Sequence, residues 1–161
     1  MNSAFKPKRV TRTHVQKIEA PSSKVFPLLC PVREYDWIEI WKCNIIWSES
    51  GVAENNCIFT TDFPDRGGLE TWTVSRYEEN RAIEFVIISQ DFKAAKLDIH
   101  LTDNGDNTTD ARWTRTITGL SDDGNKYVEN FSSEHFIHEM KLLEQMMNHY
   151  LKTGKMLKIM S

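Results

Sequence analysis

Cysteine is scarce in this chain, which has only Cys30, Cys43 and Cys57. An odd number without close metal-type spacing offers neither a disulfide framework nor a zinc site, so buried free thiols are expected. Long hydrophobic runs are missing as well. No stretch approaches the ~18 apolar residues of a membrane span, and the N-terminus carries no apolar signal core. The expectation is a cytoplasmic protein without an integral membrane segment. A basic excess is also absent, the formal net charge being -3. That excludes a nucleic-acid partner held by a strong positive field. Lys6, Lys8, Arg9 and Arg12 read as a solvated arm leading into a strand. There is no Ser-His-Asp order, nucleophile elbow, phosphate-cradling glycine loop or dinucleotide fingerprint. The sequence therefore points to no cofactor, metal or catalytic residue.

What is present is an ordinary globular balance, 40% hydrophobic and 27% charged over 161 residues. It suits one domain with a sizeable core, spanning 1–161, in which 1–9 form a loose arm. The clearest element is a helix over Ser132–Leu151. At ~100° per residue, Phe136, Met140, Leu143, Met147 and Tyr150 fall on one stripe, widened by Ile137, Met146 and Leu151. Ser132 is its expected N-cap, and Gly154 stands where a left-handed residue would end it. Such a stripe needs an apolar surface to cover.

Strand patterns supply that surface. Val10–Ile18 alternates imperfectly, with Val15 on one side and His14 and Gln16 on the other. Ala20-Pro21-Ser22-Ser23 then opens a short helix containing Val25, Phe26, Leu28 and Leu29, distorted by Pro27 and ended by Pro31. A second short helical piece carries Tyr35, Trp37, Ile38 and Trp41. Beyond it come six strands: Ile45–Ser50, Cys57–Phe63, Leu69–Glu78, Ala82–Ser89, Ala94–Asp103 and Thr109–Thr118. Turn residues separate them, and the gaps are too short for parallel crossovers. Leu97, Ile99 and Leu101 oppose Lys96, Asp98, His100 and Thr102, a one-faced pattern repeated in its neighbours. Ser121-Asp122-Asp123-Gly124 joins sheet to helix, and 125–131 extend or kink that helix. Twenty helical residues span ~30 Å, against ~29 Å for seven flat strands. One helix can therefore cross the whole sheet.

The succession of strand, two short helices, six-strand meander and long C-terminal helix resembles the helix-grip fold of the START/Bet v 1-like (SRPBCC) superfamily. That superfamily includes bacterial polyketide cyclase/dehydrase-like and lipid-transport-like proteins, whose uncharacterised members the residues also resemble. Ala20-Pro21 before Val25-Phe26-Pro27-Leu28-Leu29 resembles the start of their first short helix. Trp37 with Trp41, Ser48 to Gly51, Phe59-Thr60-Thr61, Glu70-Thr71-Trp72 and Trp113-Thr114-Arg115-Thr116 are similar to positions in those proteins. Asp123-Gly124-Asn125 and His149-Tyr150-Leu151-Lys152-Thr153-Gly154 match the start and end of the final helical region. The likeness runs over roughly 10–154 and consists of structural punctuation. It implies an α+β helix-grip fold, a seven-stranded curved antiparallel sheet wrapped on a long C-terminal helix, with two short helices after the first strand. It also implies a cavity for a small hydrophobic or amphipathic molecule, lipid- or polyketide-like. A cyclase/aromatase- or dehydratase-type enzyme and a chaperone-linked interaction module are the alternatives, a binding protein being preferred to an enzyme. Oligomeric state is left open.

The candidate ligand-binding residues are the inward rings and their neighbours: Trp37, Trp41, Phe59, Phe63, Trp72, Phe85, Ile87, Leu97, Ile99, Trp113 and Arg115 before the final helix, then Phe136, Met140, Leu143 and Met147 on it. Rings supply apolar lining and methionines an adaptable wall, although the same side chains could simply fill a core. Arg115 shares the parity of Trp113. Its plainer reading is a structural ion pair with Glu70, or an exposed strand end; its functional reading is an anchor for a carboxylate, enolate or phosphate. His135 and Glu139 have helical metal-ligand spacing, yet flank the apolar stripe and are expected to face solvent with His138 and His149. His14 and His100 are placed on polar strand faces.

Overall fold

A computed structural model describes residues 4–159. Seven strands form one antiparallel sheet: β1 (Arg9–Ile18), β2 (Asn44–Trp47), β3 (Ile58–Phe63), β4 (Gly68–Glu78), β5 (Ala82–Ser89), β6 (Lys93–Asp103) and β7 (Thr109–Gly119). Their order across the sheet is β1-β7-β6-β5-β4-β3-β2. Strands 2 to 7 are thus a meander, and β1 closes onto β7. Tight turns make this possible: Asn80 and Asp91 take positive φ at the hairpin ends, a backbone state that Asn and Asp tolerate better than most residues.

Two short helices follow β1, α1 (Ser22–Val25) and α2 (Pro31–Glu34), with a 3₁₀ turn over Phe26–Leu29 between them. The first helical segment ends before Pro31, as expected, and Pro31 itself begins α2, where its missing N–H costs nothing. The indole N–H groups of Trp37 and Trp41 donate to the carbonyls of Leu28 and Pro31, each at 2.8 Å. This pins the chain after α2 to the turn before it.

The joint after β7 is a helix of its own, α3 (Asp122–Asn130), not an extension of the last one. Ser121 caps it by accepting from Gly124 N at 3.1 Å. Gly124 passes so close to β6 that a Cβ there would lie 1.7 Å from the Phe92 carbonyl oxygen. The chain breaks at Phe131, and α4 (Ser133–Thr153) begins with Ser132 accepting from His135 N at 3.1 Å. Gly154 ends α4 with φ 70°. Among the described residues, no helix is long and apolar enough to cross a membrane.

The core lies between one sheet face and α4. Its strand parities are the expected ones for β3 to β7. In β1 the inward side is that of His14, Gln16 and Ile18, while Val15 is exposed. This departs from the polar-face assignment of His14. Gln16 explains the choice: its amide donates to the Met140 carbonyl at 2.8 Å, tying β1 to α4. Asn148 adds two bonds, accepting from Glu19 N at 2.8 Å and donating to Lys17 O at 3.1 Å. α4 therefore runs closest along β1, at the sheet edge.

One ion pair is enclosed in this core. Lys93, the first residue of β6, extends the inward parity of Ala95 and Leu97. Its Nζ donates to Glu70 Oε2 at 2.5 Å, both side chains being nearly inaccessible, and lies over the rings of Tyr127 and Phe92. Burial pulls the lysine pKa down, against the opposing pull of Glu70. Removing one partner strands the other's charge in the interior. Lys93→Met is therefore expected to cost about 3–5 kcal/mol in urea unfolding, and Lys93→Met with Glu70→Met to restore most of it. A single-variant loss below about 1 kcal/mol would show that water reaches the pair.

Candidate functional site

Between the sheet and α4 lies a cavity of about 100 Å³. Seven rings stand in its wall: Trp41, Phe59, Phe63, Trp72, Phe85, Trp113 and Phe136. Phe59 and Trp72 are cross-strand partners on β3 and β4, and their rings stack at 5.2 Å between centroids. Phe85 of β5 meets Trp72 edge-on at 5.5 Å, and Trp41 caps the group at 6.1–6.4 Å. These offset and edge-on contacts fix the wall without filling the space in front of it. Leu97 and Ile99 of β6, with Met140 and Leu143 of α4, complete the part expected from the sequence.

Three expected residues do not reach it. Trp37 is fully buried, with its N–H bound to Leu28, and supports the wall from behind. Ile87 and Met147 are likewise core residues. Met146, about 100° round the helix from Met147, lines the space instead. The cavity-facing side of α4 is thus rotated from the centre of its apolar stripe, toward Glu139, Leu142 and Met146. The 3.6-residue period locates the stripe, but not which part of it meets the sheet edge.

The polar groups of the wall are few. Arg115, on β7, is 7% exposed, and Trp113, two residues before it, is 6% exposed. Among the described residues, Arg115 Nε and Trp113 Nε1 have no hydrogen-bond partner. Glu70, the expected partner of Arg115, is bound by Lys93 instead. Thr61 bridges the two settings, accepting from Trp72 Nε1 at 2.9 Å and donating to Glu70 at 3.5 Å. Burial lowers the pKa of Arg115, and Arg66 lowers it further, while Glu70 opposes both. The neighbouring strand brings no anion either, because the residue paired with Arg115 on β1 is Arg12. Arg12 donates through Nε and Nη2 to the Phe131 carbonyl at 3.2 and 3.1 Å, at the end of α3.

At the mouth, Arg66 follows β3 in a 3₁₀ turn over Pro64–Arg66 and reaches Glu139 of α4 at 3.4 Å. His135, one helical turn earlier, lies 3.6 Å from the same carboxylate oxygen and is largely exposed. Glu34 enters from α2. The residue is half-buried and lines the cavity, and burial pushes its pKa well above the ordinary carboxylate range against the pull of Arg66. Glu34, Arg66, Ile38 and Ile40 lie in loops and short helices, where no periodicity marks a facing side. Lys93 carried a readable signal: it stands two residues before Ala95 in a strand placed one residue too short.

No protein-family model and no curated protein sequence matches the chain. Solved structures do. Norcoclaurine synthase from Thalictrum flavum, in complex with dopamine and hydroxybenzaldehyde, superposes with a TM-score of 0.65 at 12% identity, covering 91% of this chain and 89% of that one. Ginseng major latex-like protein 151 from Panax ginseng gives 0.65 at 10% identity, covering 88% and 97%. Aha1 from Colwellia psychrerythraea, solved as a dimer, gives 0.63 at 17% identity, covering 91% and 98%. At such identities the likeness concerns architecture, and with the sheet order and the long final helix it establishes that this chain has the Bet v 1-like helix-grip fold.

Proposed function

We propose that the protein binds a small hydrophobic or amphipathic molecule, inserting a ring or short chain between the sheet and α4. The observation that carries this reading is the space of about 100 Å³, open at one mouth, before a cluster of aromatic rings. A well-packed interior leaves few voids larger than a water molecule, whereas an engineered apolar cavity of ~150 Å³ in another protein takes up benzene. A single ring or a short chain suits such a space. A whole acyl chain or a multi-ring polyketide exceeds it, so any longer ligand would leave its remainder at the mouth beside Arg66 and Ile40. Norcoclaurine synthase, with the same fold, holds two one-ring molecules, which supports a ligand of this size.

Glu34 favours a second reading, a cyclase/aromatase- or dehydratase-type enzyme. A carboxyl at a cavity wall whose pKa burial raises well above the ordinary range is better suited than a surface one to donate a proton to a bound carbonyl. Binding is the common requirement of both readings.

Titration with toluene and indole, followed by tryptophan fluorescence and thermal unfolding, tests that requirement. At ~100-fold excess over Kd a ring that enters the folded state stabilises it by about 2.7 kcal/mol. Leu143→Trp, which projects a larger ring into the space, is expected to abolish the effect while preserving the fold. Unchanged melting and fluorescence across ring-sized ligands would contradict the proposal.

A further inference from the structure

The charged groups of the interior can be followed one by one, and they do not balance. Glu70 is held by Lys93 at 2.5 Å. Glu139 is held by Arg66 at 3.4 Å and approached by His135 at 3.6 Å. Arg12 is turned to the carbonyl of Phe131. Glu34 faces Arg66, and burial disfavours its charged form. That leaves Arg115, more than nine-tenths buried at the cavity wall, whose guanidinium Nε has no hydrogen-bond partner among the described residues and on which Glu70 and Glu139 act only from beyond ion-pair distance. Beside it, on the same face of β7, the indole N–H of Trp113 is also buried and unbonded.

A cation that cannot shed its proton is costly to bury alone, and an indole N–H can only donate. Two unbonded donors at one wall, one of them charged, require an acceptor bearing negative charge. A guanidinium presents a planar fork that matches a carboxylate through two parallel bonds. The facing rings of Trp72, Phe59 and Phe85 define what the acceptor is attached to. Resting on the reading of the cavity as a ligand site, we infer that the ligand is a small organic monoanion, a carboxylate on a single ring or short chain, seated on Arg115 and Trp113. The protein then separates acids from neutral molecules of the same shape, because only the acid supplies the missing charge.

The test compares benzoate and phenylacetate with benzamide and phenylacetamide by calorimetric titration, with toluene as the neutral reference. The acids are expected to bind about 10- to 100-fold more tightly than the amides, as befits hydrogen bonds to a charged group. Arg115→Met is expected to erase that preference, the acids falling to the affinity of the matching amides. It should also raise the ligand-free melting temperature by about 2–4 °C, because an apolar side chain of similar length replaces an unpaired buried charge. A structural arginine would do the opposite and lower it. Should Arg115→Met fail to fold, Arg115→Lys keeps the charge but loses the fork, and Trp113→Phe keeps the ring but loses the donor. Each is expected to weaken benzoate about 5- to 10-fold relative to benzamide. Equal binding of acids and amides by the wild type, with toluene still bound, overturns the anion seat and leaves the cavity reading intact. Binding of neither acids, amides nor toluene overturns both.

Discussion

The attachment of α4 to the edge of the sheet is the constraint from which the interior follows. Gln16 and Asn148 bond the helix to β1 through backbone groups, which sets its height at one margin. From there it lies over an inward face whose rings are Trp113 on β7, Phe85 on β5, Trp72 on β4 and Phe59 on β3, with the aliphatic Leu97 and Ile99 of β6 between the first two. Rings of that size need room between helix and sheet. Their edge-on contacts cannot close the remainder, and a chamber is left. Aliphatic residues at the same positions would let helix and sheet approach, as close packing ordinarily demands. The rings thus shape the space as well as line it.

Around this apolar chamber the protein places charge unevenly. The Lys93–Glu70 pair is complete and sits under Tyr127 and Phe92, where α3 crosses the end of β6. That placement gives the pair a structural role: it satisfies a strand end that the α3 crossing has buried. The mouth holds a looser set of groups, Arg66, Glu139, His135 and Glu34, contributed by a turn and two helices. Arg115 belongs to neither group. Retaining a buried guanidinium without a close ion-pair partner opposes stability, and such costs are characteristically concentrated at sites where a ligand restores the balance.

Much of this architecture can be read from the residues. The parity of Leu97, Ile99 and Leu101, the stripe on α4 with its Ser132 and Gly154 ends, and the turn chemistry between strands fix sheet, helix and topology. The aromatic wall follows from the same parity. What could not be read falls into two kinds. Where a polar side chain faces inward, as Gln16 and His14 do on β1, hydrophobic alternation assigns the wrong face, because a hydrogen bond to the helix backbone outweighs the pattern. Where a partner is chosen in three dimensions, sequence offers only candidates: Glu70 shares the inward side with Arg115, yet Lys93 reaches it. The rotation of α4 that brings in Met146 and leaves out Met147 is of this second kind, since it depends on which strand the helix is tied to. Arg66 and Glu34 lie outside any period and become visible only when the fold brings them to the mouth.

The two unbonded donors of β7 carry the anion seat. In ¹H–¹⁵N spectra of the side-chain region, the Arg115 Nε–H and Trp113 indole signals report the seat itself, and the Trp37 indole, fixed to Leu28 behind the wall, serves as an internal reference. On saturation with benzoate the Arg115 and Trp113 signals should shift strongly while Trp37 stays in place. Arg115 and Trp113 signals that remain unmoved at saturation would contradict the account.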